Sequence, residues 1–156
     1  TPLFMAAHGG HLEVVRELVG AGASLHDHQA ASAVCVAASN GHLEVVHALV
    51  EAGASVGQAK DTGATPLFAA SQGGHVEVVR ALVAAGASVD QVTKNGWSPL
   101  IAAAWCGHAS VVAELLQHGA DRSIATTRKC YGMPAGSTAL SMAQLKGHQG
   151  VVDLLR

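Results

Sequence analysis

Apolar residues recur along the chain in a fixed order. Two adjacent valines followed three residues later by leucine appear as Val14, Val15 and Leu18, then Val45, Val46 and Leu49, Val78, Val79 and Leu82, Val111, Val112 and Leu115, and Val151, Val152 and Leu155. Spacings of three and four put such residues on one face of a helix, whereas a strand would alternate them, so each set predicts a short amphipathic helix. A second apolar set precedes each one: Leu3, Val34, Leu67, Leu100 and Leu140 stand three residues before Ala6, Ala37, Ala70, Ala103 and Ala143. That spacing gives another helix per unit, with leucine or valine and alanine on a shared buried face. An invariably small alanine lets neighbouring helix backbones approach closely, and a larger side chain there is expected to overpack the stack.

Polar and glycine positions punctuate these helices. Gly10-His11, Gly41-His42, Gly74-His75, Gly107-His108 and Gly147-His148 follow one another at steps of 31, 33, 33 and 40 residues, a period that marks a repeat array. Nine residues before each of these glycines stands a hydroxyl residue, Thr1, Ser32, Thr65, Ser98 or Thr138, read as a helix N-cap. Three of them precede a proline that suits the first helical position. Gly22, Gly53, Gly86 and Gly119 close the second helices as left-handed caps. Helices of two to three turns are too short to persist alone, so stacking must hold them. The chain is therefore expected to be one all-α solenoid of helix-turn-helix units, divided at about 1–27, 28–60, 61–93, 94–133 with an insertion near 125–133, and 134–156.

The units resemble the ankyrin repeat family closely, on Thr1-Pro2-Leu3, Ala6-Ala7, Gly10-His11, Val14-Val15, Leu18 and Gly22-Ala23 and their counterparts over nearly the whole chain. The resemblance implies two antiparallel helices per repeat, joined to the next pair by a protruding β-hairpin-like loop. Hairpin tips and first helices would then line a concave groove. It also implies that the histidine column braces loops, each imidazole bonding backbone groups of adjacent turns. The chain starts at the cap of a first helix and stops inside a last one, without a polar capping repeat at either end, as a fragment of a longer array would.

Composition narrows the function. Half the residues are apolar, mostly Ala and Val, with two Phe, two Trp and one Tyr, which suits thin helical layers better than one deep core. Nine Lys and Arg against eleven Asp and Glu give no basic field for nucleic acid. No apolar run reaches membrane-spanning length and no signal peptide is visible, so the expectation is a cytoplasmic or otherwise intracellular protein that spans no membrane. Cys35, Cys106 and Cys130 lack metal-type pair spacing and read as reduced thiols. His26 and His28 are the nearest approach to a two-histidine metal pair, with Asp27 beside them and no further ligand in sight. No catalytic signature, cofactor motif or metal site is expected, and the chain is not read as an enzyme.

Positions at which the repeats disagree are the ones stacking leaves free. Seven residues after the cap come His8, Ser39, Gln72, Trp105 and Leu145, followed by Gly9, Asn40, Gly73, Cys106 and Lys146; before the cap come His28, Gln29 and Ala31, then Asp61, Thr62 and Ala64, then Lys94, Asn95 and Trp97. These resemble the family's groove and hairpin positions and are the expected contacts for another protein or peptide. Trp97 and Trp105 either form an exposed binding hot spot or cover their own hairpin and the next layer. The 40-residue step enlarges one hairpin into a finger bearing Arg128, Lys129 and Tyr131, which suits an acidic partner or is a tolerated surface insertion. The leading function is a protein-interaction scaffold; the alternatives are a targeting or regulatory array of a larger enzyme or channel, and an architectural element whose end repeats self-associate.

Overall fold

The computed structural model describes residues 1–25 and 28–156, without the side chains of residues 28–31. The His26, Asp27 and His28 grouping and the hairpin positions Gln29 and Ala31 lie outside these described residues. Among the described residues ten helices follow one another in pairs: α1 Pro2–Gly9 with α2 Leu12–Gly20, α3 His28–Ser39 with α4 Leu43–Glu51, α5 Pro66–Gly73 with α6 Val76–Ala84, α7 Pro99–Cys106 with α8 Ala109–Gln117, and α9 Ala139–Lys146 with α10 Gln149–Leu155. First helices pack on first helices and second helices on second helices, giving two rows that share one continuous core. The result is an all-α solenoid, with isolated bridges and no sheet among the described residues.

The alanine column lies where the first helices meet: Ala37, Ala70, Ala103 and Ala143 are wholly buried and Ala6 nearly so. The valine and leucine stripe is buried in the last four pairs. In the first pair only Val15 is; Val14 is 47% exposed and Leu18 half-buried. Leu140 is also only half-buried, and Met142 carries the core of α9.

Thr1, Thr65, Ser98 and Thr138 cap their helices, each hydroxyl accepting from the amide three residues on. Ser32 does not. Helix α3 starts at His28, four residues earlier, so the short first step is taken up by extra helix and Ser32 lies inside it. First helices end on left-handed glycines such as Gly10 and Gly74, after which the histidine amide reaches back into the helix, as from His11 to the Ala6 carbonyl at 2.9 Å.

That histidine column ties layer to layer. Nε2–H donates to the carbonyl at the end of the preceding first helix, from His42 to His8 at 3.0 Å, His75 to Ser39 at 2.9 Å, His108 to Gln72 at 3.0 Å and His148 to Trp105 at 3.1 Å. Each ring lies so close to the previous repeat's glycine that a Cβ there would collide with it, at 2.7 Å between Gly10 and His42. Glycine is needed at that position for space as well as for its positive φ. On the row of second helices, Arg80 Nε meets the buried Glu114 at 2.8 Å across α6 and α8, while His118 Nε2 lies 3.2 Å from the same carboxylate. The Arg80 hydrogen bond holds the Glu114 carboxyl below its ordinary range against the opposing effect of burial.

Candidate functional site

Between the helix pairs, three loops close on backbone hydrogen bonds, from Lys60 N to Ala64 O at 2.9 Å, Thr93 N to Trp97 O at 3.0 Å and Thr126 N to Ser137 O at 3.0 Å. The first two enclose tips 61–63 and 94–96, ending in Gly63 and Gly96; the third encloses 127–136, ending in Gly136. All three glycines have positive φ, 83°, 78° and 86°. The seven extra residues of the long step therefore sit entirely within one tip. Successive tips are joined by Lys94 N to Thr62 O at 3.1 Å and Thr127 N to Asn95 O at 3.0 Å.

The enlarged tip folds into a smaller hairpin of its own. Cys130 and Met133 exchange backbone bonds at 3.1 and 2.8 Å around Tyr131 and Gly132, both at positive φ, 49° and 82°. Two residues at positive φ make the primed turn that tight hairpins favour. A tyrosine is an unusual occupant of left-handed backbone and persists there only when its surroundings hold it. Here its ring lies 5.7 Å from that of Trp97 and 5.5 Å from that of Trp105, while the two indoles meet edge to face at 5.9 Å. Lys146 Nζ lies 4.4 Å from the Trp105 ring centroid, a cation–π arrangement.

Beside this cluster a cleft of about 220 Å³ opens between two hairpin tips, α5 and the finger. It brings together six of the residues expected to contact a partner, Thr62, Ala64, Gln72, Asn95, Trp97 and Tyr131, with Phe68, Thr93 and Cys130. Lys94 lies between the lining residues Thr93 and Asn95 in sequence and Arg128 and Lys129 just precede Cys130; all three are exposed, as is Asp61 on the neighbouring tip. His8, Ser39 and Asn40 are exposed on the first two repeats, outside this cleft, where Asn40 Nδ2 and His42 Nε2 both donate to the His8 carbonyl.

Of the two alternatives for the tryptophans, an exposed pair is the one that their burial contradicts. Trp97 is only 6% exposed and Trp105 half-buried, whereas Tyr131 is 75% exposed. The finger folds back and Tyr131 covers both indoles, so Trp97 belongs to the core and presents only part of its ring to the cleft. Among the thiols, burial pushes Cys35 up to about 12, opposed by Lys60, and its Sγ lies 3.8 Å from the Ala64 carbonyl. Burial also raises Cys106, with Lys146 opposing. Neither is an activated thiolate.

A family profile described as Ankyrin repeats (3 copies) matches residues 1–60, 34–126 and 90–156, which together span the chain. The chain belongs to the ankyrin repeat family. No curated protein matches it. Ankyrin repeats are in general protein–protein interaction modules and typically not enzymes. No helix among the described residues is long and apolar enough to cross a membrane. Three contributors to the ankyrin cleft, Phe68, Thr93 and Cys130, stand outside the variable positions and finger residues that the sequence singles out as contacts. The available signal was the coincidence of both tryptophans with the repeat immediately before the insertion, which places the extra residues over them.

Proposed function

We propose that this ankyrin array binds another protein or peptide through the groove formed by its hairpin tips and first helices, in the region of the finger. The observation that carries this reading is Tyr131, which keeps unfavourable backbone and three-quarters exposure on a seven-residue elaboration with aromatic contacts beneath it. Lys94, Asn95, Arg128, Lys129, Gln72 and Asp61 are the accompanying contacts in this reading, with Ser39, Asn40 and His8 extending them along the array. The repeats divide as their sequence period suggests. A photo-crosslinking side chain placed at Asn95 or Tyr131 is expected to trap a partner in extracts of the source cell, and the same group at Glu17 or Glu51 on the second helices is not. Crosslinks arising only from the second helices would defeat the assignment.

A second reading, end-to-end association of copies, has Met5 and Val14 at one end and Leu154 at the other in its favour, since all three are exposed. Sedimentation velocity across a hundredfold concentration range distinguishes it by a rising sedimentation coefficient.

A further inference from the structure

The near-neutral total charge conceals a division between the two sides of the array. Seven of the eleven Asp and Glu residues lie on the second helices: Glu13 and Glu17 on α2, Glu44 and Glu51 on α4, Glu77 on α6, Glu114 on α8 and Asp153 on α10. The five first helices carry none. Asp90 and Asp121 lie in the linkers after second helices, where Asp90 accepts from the Asp121 amide and Asp121 from Ser123. The nine cations are shared between the sides. Arg16, Arg80 and Arg156 pair with carboxylates on the second-helix side and Arg122 lies in the linker after α8, whereas Lys60 stands at the base of one hairpin tip, Lys94, Arg128 and Lys129 on the tips and finger and Lys146 at the end of α9. Among the described residues none of these five has a carboxylate at ion-pair distance. Asp61 is the lone acid on the described tips and finger.

The cleft within this cationic rim has the opposite character. Its lining holds no Asp, Glu, Lys, Arg or His, and Phe68, Trp97 and Tyr131 supply aromatic walls. Thr62, Gln72, Thr93 and Asn95 add uncharged polar groups to those walls, so a charged group entering would meet no opposite charge, whereas a large apolar side chain would meet the three rings. Carboxylates flanking that group would meet the exposed rim cations while still partly hydrated, where complementary charge steers encounter and sets specificity.

From this juxtaposition we propose that the groove takes an acidic extended segment of a partner protein, one large apolar side chain of which enters the cleft while its neighbouring carboxylates meet Lys94, Arg128 and Lys129. The proposal rests on the interaction reading above and adds the chemistry of the partner. Nucleic acid is the other polyanion such a rim could meet. It is disfavoured because Asp61 interrupts the rim, the second helices are acidic and the cleft walls serve one inserted apolar group rather than a regular phosphate track.

The test uses the full chain and a synthetic heptapeptide of glutamate and aspartate with a central leucine, read by calorimetry and tryptophan fluorescence. Its comparison arms replace the leucine by glycine, replace the acids by glutamine and asparagine, or substitute single-stranded oligothymidylate. The acidic leucine peptide should bind and perturb the fluorescence, and each altered peptide should bind about tenfold more weakly or worse. Added salt should weaken the acidic peptide. Replacing Lys94, Arg128 and Lys129 together by Gln should weaken it comparably, while Arg16→Gln with Arg156→Gln should leave it unchanged. Equal binding of the neutral peptide, equal binding of the glycine peptide, tighter binding of the oligonucleotide, or no binding of the acidic peptide would each overturn the proposal. If crosslinks from Asn95 and Tyr131 still trap a partner in any of those cases, the interaction reading survives and only the partner chemistry falls. Crosslinks confined to the second helices would remove the reading itself.

Discussion

At the scale of single residues, the contrast between Trp97 and Tyr131 decides how the aromatic cluster is to be understood. Trp97 is buried and touches both other rings, so Trp97→Ala should open a cavity and lower stability by about 3 kcal/mol or more, measured from the urea midpoint. Tyr131→Ala should cost only about 1 kcal/mol, because an exposed ring forfeits aromatic contacts and little burial. Equal losses would mean that the finger is as much a part of the core as the hairpin beneath it. Ala103→Leu tests the closest contact between first helices, and overpacking there is expected to cost about 1 to 3 kcal/mol. The alanine column was legible in the sequence because five layers impose one steric demand. Burial of Trp97 was only one of two alternatives there, because a variable position can be free of packing or can fill a space of its own. Ala64 and Ser137 at the corresponding position are half-buried and buried too. That column varies in size because each hairpin fills its own space.

At the scale of elements, the register of the three closing hydrogen bonds places the insertion precisely enough to remove it. Deleting Arg128 to Pro134 leaves a Thr-Ala-Gly tip in place of the Asp-Thr-Gly and Lys-Asn-Gly tips before it. Helical circular dichroism should be retained, while tryptophan emission shifts to longer wavelength as Tyr131 uncovers the indoles. Loss of helical signal would show that α9 and α10 need the finger. The second-helix row offers a different test at Glu114. A carboxyl whose folded pKa is depressed contributes stability that is complete above the ordinary glutamate range and disappears as pH falls through the lowered value. Glu114→Gln should therefore lower the melting temperature at neutral pH and flatten its decline in acid, and an unchanged acid limb would remove Glu114 from the account. Helix periods, caps and terminal glycines made the elements readable. The early start of α3 was not, since Ser32 fits a cap by spacing and only the shortened first step hinted at extra helix.

At the scale of the whole molecule, each repeat draws its stability from its neighbours, through the histidine bonds, the alanine contacts and the Arg80–Glu114 bridge. Such an array can vary one tip without disturbing the rest, which is how a seven-residue finger is accommodated within an otherwise even stack. The fold was legible because repetition multiplies a weak local signal. The cleft was only partly legible, because its walls come from three hairpins and a helix separated by tens of residues, and because charge totals hide which side of the solenoid a residue occupies. The central claim is that binding resides on the finger side and is separable from folding. It is tested most directly by measuring the affinity of the crosslinked partner, once purified, for three arrays: the parent, the array lacking Arg128 to Pro134, and an array with Glu17, Glu44 and Glu51 changed to Gln. Removing the finger should weaken binding by about 2 kcal/mol or more with helicity preserved, and the second-helix variant should bind like the parent. Unchanged affinity without the finger, or a loss confined to the second-helix variant, would contradict the account.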